Sequence, residues 1–216
     1  MSLVRALVFC ALLLPLPALA EVLWLTNVKV VDVESGQVAE DRDVLIRDGR
    51  IAEIAESVPR EPQEGVAHID GGGGWLMPAL AEMHAHVPSA SQGSQRIQDV
   101  LSLFLARGVT TIRGMLGEPA HLELRDALAA GEIRGPRLFT SGPSFNGNTV
   151  SSPEQGVERV REQAAAGYDF LKIHPGLTRE EFIAIAEAAR ELDIPIAGHV
   201  SFETGLQTAL AQDQAT

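Results

Sequence analysis

The pattern of hydrophobic and polar positions divides the chain into two parts with different periodicities. From Glu21 to about Asp70 apolar and polar residues alternate, most clearly in DVLIRDGRIAEI. Within that stretch Asp48 and Gly49 have the sequence of a two-residue hairpin turn between short strands. The alternation therefore predicts a small β module over residues 21–75.

From Leu76 onward, short β-rich runs alternate with segments of helical periodicity. Helix start signals precede three of these segments: Pro119, Ser152 with Pro153, and Thr178 with Glu181. Four helical crossovers between strands imply a parallel sheet, because parallel neighbours need such connections. The predicted strands begin near Leu80, Val109, Arg137, Phe170 and Ile194.

The spacing of these strands favours a β/α barrel over residues 76–216. Their intervals are close to the roughly 31 residues expected when about 250 residues form eight β/α units. An open doubly wound sheet is the main rival. The glycines Gly71 to Gly74 do not decide between them, since they precede a strand, whereas a dinucleotide-binding fingerprint follows one. We expect them to form a flexible joint.

The first 20 residues have the pattern of a secretory signal peptide. Arg5 is followed by the apolar run ALVFCALLLPLPALA, which ends on Ala18, Leu19 and Ala20. An uncleaved anchor is the alternative. Cys10 is the one cysteine of the chain, so a processed product would rely on neither disulfides nor Cys-ligated zinc. The expected location is periplasmic or secreted, without membrane attachment after cleavage.

The charge balance argues against nucleic acid as a partner, because 29 acidic residues face 17 basic ones. The acidic residues are spread over helix-like segments such as REEFIAIAEAARELD, as on a solvated surface. The sequence is compatible with a homo-oligomer.

Two histidines flank one alanine at the end of the first predicted barrel strand. Residues two apart on a strand point to the same face, so His84 and His86 are expected to project together at the carboxyl end, where barrels hold their active sites. Two neutral imidazoles suit a divalent ion such as zinc, which would need further ligands from neighbouring strands. Surface histidines or satisfied core histidines are the alternative.

Two further residues lie in apolar strand runs. Lys172 stands within FLKIH of the fourth predicted barrel strand, and His199 closes IPIAGHV of the fifth. A buried lysine is rare without a specific role. Taken singly, the lysine could extend to water or pair with an acid, and the histidine could bond a core carbonyl. Their common position at strand ends favours a metal centre.

Several motifs together resemble the amidohydrolase superfamily, in the branch related to imidazolonepropionase and prolidase-like Xaa-Pro dipeptidases. The resemblance runs from about Val22 to Thr216 and rests on VLIRDGRIAEI, GWLMPALAEMHAH, GVTTIR, GYDFLKIH and PIAGHVS. The second motif is similar to G-x-x-x-x-P-G-x-x-D-x-H-x-H, although Ala79 and Glu82 stand where glycine and aspartate are commoner.

The resemblance implies a metal-dependent hydrolase with a TIM-like β/α barrel, preceded by part of a β-sandwich module. It assigns His84 and His86 as ligands from the first strand and His199 as the ligand from the fifth. Lys172 would be carboxylated and bridge two metal ions. The cofactor would be one or two divalent ions, expected to be zinc. The reaction would be hydrolysis of amide, peptide-like or cyclic amide bonds in a small or dipeptide-like substrate by a metal-activated water.

The family's histidine from strand six and aspartate from strand eight have no counterpart here, and the sequence ends in what is expected to be helix five. We therefore expect a barrel truncated after about five strands, inactive by itself. The alternative is a non-catalytic exported fragment with at most weak metal binding. His174 and Arg113 are candidate substrate contacts, although His174 could instead orient the loop at Pro175 and Arg113 could pair with a structural acid. His68 and His121 are expected to be module and helix-surface residues.

Overall fold

The computed structural model describes residues 22–61 and 63–215. The leader predicted over residues 1–20 lies outside the described residues. The chain divides between Pro78 and Ala79 into two compact units. Within the described ranges, none of the helices combines the length and apolarity needed to cross a membrane.

The first unit is a four-stranded sheet. Its strands are β1 (Val22–Val31), β2 (Val38–Arg47), β3 (Arg50–Glu56) and β4 (Val66–Leu76). Their order is β3-β2-β1-β4, in which β1 pairs antiparallel with β2 and parallel with β4. The predicted hairpin turn is confirmed, since Asp48 and Gly49 both have positive φ between the antiparallel strands β2 and β3.

The glycine stretch is part of strand β4, so its interpretation as a flexible joint was wrong. Gly74 pairs with Val28 of β1, across a shift in register that marks a β-bulge. Gly72 and Gly73 have φ of 59° and 72°, which glycine adopts without strain. A Cβ on Gly71 would collide with the Val28 side chain. The glycines are required because the backbone bends and packs closely at this bulge.

The second unit alternates strands and helices, as the sequence predicts. The elements are β5 (Leu80–Ala85), a short 3-10 helix (Ala90–Gln92), α1 (Ser94–Ala106), β6 (Val109–Gly114), α2 (Ala120–Ala129), β7 (Arg137–Thr140), α3 (Pro153–Ala166), β8 (Leu171–Ile173), α4 (Arg179–Glu191), β9 (Ile196–Gly198) and α5 (Leu206–Ala211).

All strand pairs of this unit are parallel. Strands β5, β6 and β7 form one sheet, and β8 and β9 form another. Single bridges from Ser141 to Phe170 and from Phe145 to Ile173 join the two sheets. The described residues of this unit thus form an open array of five strands, with no closed barrel among them.

The end of the described chain differs from the prediction. The helix expected there stops at Ala211, and Ala215 bridges in parallel to Ala197 of β9. The expectation that the sequence ends inside helix five was therefore wrong. The residues after this helix return to the sheet, where the N–H of Ala215 donates to the carbonyl oxygen of Ile196 at 2.9 Å.

Helices α3 and α4 cover strand β8 with an apolar core. Phe145, Val160, Ile173, Phe182 and Ile185 are all buried in this cluster. A second cluster joins the buried strand residues Ala85, Ile112 and Leu138 to Leu101 of α1 and Leu124 of α2. Because one face of each strand packs against helices, the opposite face is left for the candidate site.

Candidate metal centre

His84 and His86 lie on the same face at the carboxyl end of β5. Their ring centroids are 5.6 Å apart and the ring planes are inclined by 5°. The backbone N–H of His84 donates to the Glu82 carboxylate at 2.8 Å. Glu82, which stands where the family more often has aspartate, therefore fixes the backbone that carries the first histidine.

His199 and His174 bring two more imidazoles to this position. His199 directly follows β9, and its ring centroid lies 5.8 Å from that of His84. His174 directly follows β8, and its ring lies 4.9 Å from that of His199. The N–H of His199 donates to the Ile173 carbonyl at 3.0 Å, which holds the ends of the two strands together.

Lys172 lies in the middle of β8 and is 0% exposed. Its Nζ has no hydrogen-bond partner. Burial, together with the positive charge of Arg113, lowers the pKa of Lys172 to about 8. Burial, followed by the nearby Lys172, also lowers the pKa of His84 and of His174. The site therefore shifts Lys172, His84 and His174 towards their neutral forms, which are the forms that bind metals.

The contacts of Arg113 include a backbone carbonyl and an aromatic ring, and its charge acts on Lys172 and His84. Its Nε donates to the Met83 carbonyl at 2.9 Å, and its guanidinium carbon lies 5.5 Å from the centre of the Phe170 ring. It lines a cavity of about 270 Å³ on the inner face with Phe139, Phe170 and Ala197. Its role in binding a substrate carboxylate remains a prediction.

Sequence reasoning missed the polar loop that follows β7, SGPSFNGNT. Ser144 Oγ lies 3.2 Å from His174 Nδ1 and accepts a hydrogen bond from Asn146 Nδ2 at 3.1 Å. The position of this loop at the carboxyl end of a barrel-type strand was the available signal. The loop has no hydrophobic periodicity, so the pattern of apolar positions does not identify its hydroxyl and amide groups as part of a site.

The two remaining histidines take no part in the site. His68 is exposed on β4. His121 was expected on the helix surface, and this was wrong, since the side chain is only 2% exposed. Its Nε2 lies 3.1 Å from the Pro88 carbonyl oxygen and 3.7 Å from the Glu118 carboxylate, so it is held inside by local polar partners.

The imidazoles fit a divalent ion such as zinc in chemical type, and two of their pairs also fit in spacing. Two imidazoles that share one ion at about 2 Å from each nitrogen have ring centroids roughly 5 to 6 Å apart. The His84–His86 and His84–His199 distances fall in that range. Within residues 22–61 and 63–215, however, no three His, Cys, Asp or Glu side chains already converge as a metal site. A metal site here would therefore need Lys172, which lies outside those residue types, and a rearrangement of the imidazoles.

A parallel β/α array with imidazoles and a buried lysine at the carboxyl ends of its strands is typical of the class of proteins with a β/α barrel. A comparison with known families identifies the family within this class. Residues 75–213 match the model of the amidohydrolase family, and the chain belongs to that family.

Two curated relatives and one solved structure illustrate the similarity. A dihydroorotase from Anaeromyxobacter sp. (strain K) is 36% identical over 125 residues, covering 57% of this chain and 28% of the relative. An imidazolonepropionase from Thermoplasma acidophilum is 32% identical over 115 residues, covering 51% of this chain and 24% of the relative. The crystal structure of a prolidase complexed with N-methylphosphonate-L-proline superposes with a TM-score of 0.73 at 22% identity, covering 83% of this chain and 56% of that one.

These figures show two things. The fold is a mixed α/β arrangement similar to that of amidohydrolase barrel proteins, and the recognition of this family from the sequence is confirmed. The chain matches about a quarter of the length of these curated relatives and just over half of the solved prolidase.

Proposed function

We propose that this chain supplies the metal-binding part of a metal-dependent hydrolase that acts on carbon–nitrogen bonds. Membership of the amidohydrolase family supports hydrolysis of such bonds. One observation carries the metal dependence: Lys172, completely buried and with an unpartnered Nζ, stands beside imidazoles at the carboxyl ends of parallel strands. A buried amine without a partner is costly, so its retention fits a bound group that satisfies it.

The chain's own residues have separable roles in this proposal. His84, His86 and His199 would hold one or two divalent ions, with zinc the expected metal. When bound, the ion would polarise a substrate carbonyl and ease the deprotonation of water. Lys172 would contribute through its carbamate, which forms when the neutral amine attacks the carbon of carbon dioxide and loses one proton. Burial favours this step because it lowers the pKa of the amine and so increases the uncharged fraction.

A small or dipeptide-like molecule is the proposed substrate. The relatives carry the names dihydroorotase and imidazolonepropionase, and the similar prolidase structure holds N-methylphosphonate-L-proline. Arg113 and His174 remain the proposed substrate contacts, and the half-buried His174 has the more direct position because its ring adjoins that of His199.

The test uses the protein encoded by the full reading frame and compares it with its Lys172→Ala variant in zinc-supplemented buffer containing bicarbonate. The variants of this site proposed below are made in the same protein. We expect the wild type to hydrolyse members of a dipeptide panel and Lys172→Ala to lose this activity. Bicarbonate should not restore the variant, whereas a short-chain carboxylic acid should partly replace the missing carbamate.

His68→Ala, which changes an exposed histidine of the first unit, is the matched control and should behave as wild type. A fully active Lys172→Ala protein would exclude the role proposed for the lysine. Zinc binding without any hydrolysis would support the non-catalytic alternative.

A further inference from the structure

The loop after β7 forms a chain of hydrogen bonds that ends on His174. Ser144 is 8% exposed, and its Oγ lies between Asn146 Nδ2, at 3.1 Å, and His174 Nδ1, at 3.2 Å. Thr149 Oγ1 donates to the Ser144 carbonyl at 2.9 Å. The serine is therefore held in place from both its side chain and its backbone.

The direction of the first bond is determined by Asn146. Its Oδ1 accepts the backbone N–H of Asn148 at 2.8 Å, which fixes the orientation of the amide. The Nδ2 group must then face Ser144, and an amide NH₂ can only donate. Ser144 Oγ thus accepts from Asn146, and its own hydroxyl hydrogen needs an acceptor elsewhere.

His174 Nδ1 meets that need. Among the hydrogen bonds of the described residues, it is the one remaining partner of Ser144 Oγ. A hydroxyl that donates to it leaves Nδ1 with a lone pair and places the ring hydrogen of the neutral imidazole on Nε2. A ring nitrogen that carries hydrogen donates hydrogen bonds and does not bind a metal.

We propose that Ser144 holds His174 as the Nε2–H tautomer, so that His174 donates a hydrogen bond to the substrate carbonyl oxygen and is not a metal ligand. The inference rests on the proposed function, since it assigns a task within the same site. The His174 ring lies 4.9 Å from that of His199, so its Nε2–H belongs to the same group of side chains as the metal-binding imidazoles. Donors aimed at an oxygen that gains negative charge stabilise the transition state. Ser144 is a positioning residue.

The tautomer can be measured by NMR with protein containing ring-¹⁵N histidine, at pH 8, where ordinary imidazoles are neutral. The signal is assigned by its loss in His174→Gln. We expect the wild type to show hydrogen on Nε2 and Ser144→Ala to show a mixture of tautomers. Ser144→Thr, which keeps the hydroxyl, should retain the wild-type spectrum. Hydrogen on Nδ1 in the wild type would overturn the proposal.

Metal content and kinetics separate His174 from the ligands. His174→Gln should hold as much zinc as the wild type, whereas kcat should fall on the order of 100-fold with a smaller change in KM. Loss of zinc from His174→Gln would show that this histidine is a ligand and would overturn the inference. A wild type that shows the Nε2–H tautomer but binds no zinc would defeat the proposed function and leave the tautomer assignment standing.

Discussion

The amine of Lys172 is held where a charged lysine is unfavourable. It is buried in β8, has no acceptor for its hydrogens, and is affected by the charge of Arg113. The neutral form is what either metal binding or reaction with carbon dioxide requires. The same surroundings that prepare the site for chemistry therefore reduce the stability of the metal-free protein below the pKa of this lysine.

The free-energy cost of burying the charged form of Lys172 should make the stability of the metal-free protein depend on pH. The pKa of Lys172 is about 8 in the folded protein and near its ordinary value of 10.5 when unfolded. Between these values the unfolded chain binds more protons, so stability rises with pH. Lys172→Met should therefore gain most over the wild type below pH 8, and its advantage should shrink towards pH 10.5.

The measurement is denaturant unfolding of metal-free protein in buffer without carbon dioxide, from pH 7 to pH 10. Arg107→Met, which changes an exposed cation at the end of α1, is the control for general charge effects. A constant difference between Lys172→Met and the wild type across this range would show that the lysine does not titrate as described.

The two histidines of β5 should control metal content. His84→Ala or His86→Ala removes one of about four ligands and leaves a weak site. Zinc affinity should fall by more than the roughly 10- to 100-fold that changes in supporting residues typically cost. Elemental analysis after dialysis against a zinc buffer measures the stoichiometry, with His68→Ala as the control. Unchanged zinc in both variants would remove these residues from the site.

At the scale of elements, local signals determine where the helices begin. Thr178 Oγ1 accepts the N–H of Glu181, and the Glu181 carboxylate accepts the N–H of Thr178, which completes a capping box at α4. At the start of α3, Ser152 Oγ accepts the N–H of Gln155, and Gly167 ends this helix in the left-handed conformation. These contacts satisfy backbone groups that a helix end would otherwise leave without partners.

The capping box gives a stability prediction. Thr178→Ala should lower the free energy of unfolding by about 1 kcal/mol, because the N–H of Glu181 loses its acceptor. Thr178→Ser keeps the hydroxyl and should stay close to wild type. Chemical denaturation measures both values, and equal stability of the alanine and serine variants would contradict this account.

The elements predicted from the sequence are those with strong local signals. The parallel strands and four of the helices were located within a few residues, because burial of one face imposes a period. The glycine bulge was not predictable, since its need for glycine comes from Val28 on a neighbouring strand. His121 was misplaced for a similar reason, because its partner Pro88 lies far along the sequence. At the candidate site, sequence motifs predict the histidines and Lys172. The contact of Ser144 with His174 has no sequence pattern that would predict it.

At the scale of the whole molecule, the second unit leaves an apolar inner face open. Met83 is 51% exposed and Phe139 is 41% exposed, although both line the inner cavity. A closed barrel would cover such side chains, each of which gains roughly 25 cal/mol per Å² on burial. The chain by itself should therefore be weakly stable and self-associating, and without enzymatic activity.

Light scattering and binding of an apolar dye test this expectation. We expect the chain to form oligomers at micromolar concentration and to bind the dye. Phe139→Gln should weaken both effects, whereas Leu103→Gln, on the exposed surface of α1, should not. A monomeric chain that melts cooperatively and binds no dye would show that the inner face is already satisfied.

Export is a separate prediction at this scale. We propose that the leader is removed after Ala20 and that the remaining chain comprises the β module of residues 21–75 and the barrel unit of residues 76–216. Mass spectrometry of the periplasmic product should show a first residue of Glu21. A product that retains Met1 would exclude cleavage and favour the uncleaved anchor.

His84 and His199 have their rings 5.8 Å apart, although more than half of the chain separates them in sequence. Contacts between such distant residues form late in folding, because a long loop must close first. Tight capture of zinc would therefore have to wait until β5, β8 and β9 have assembled. Uptake of the metal would then report that tertiary folding is complete, because only chains that had reached their native topology would bind the ion tightly.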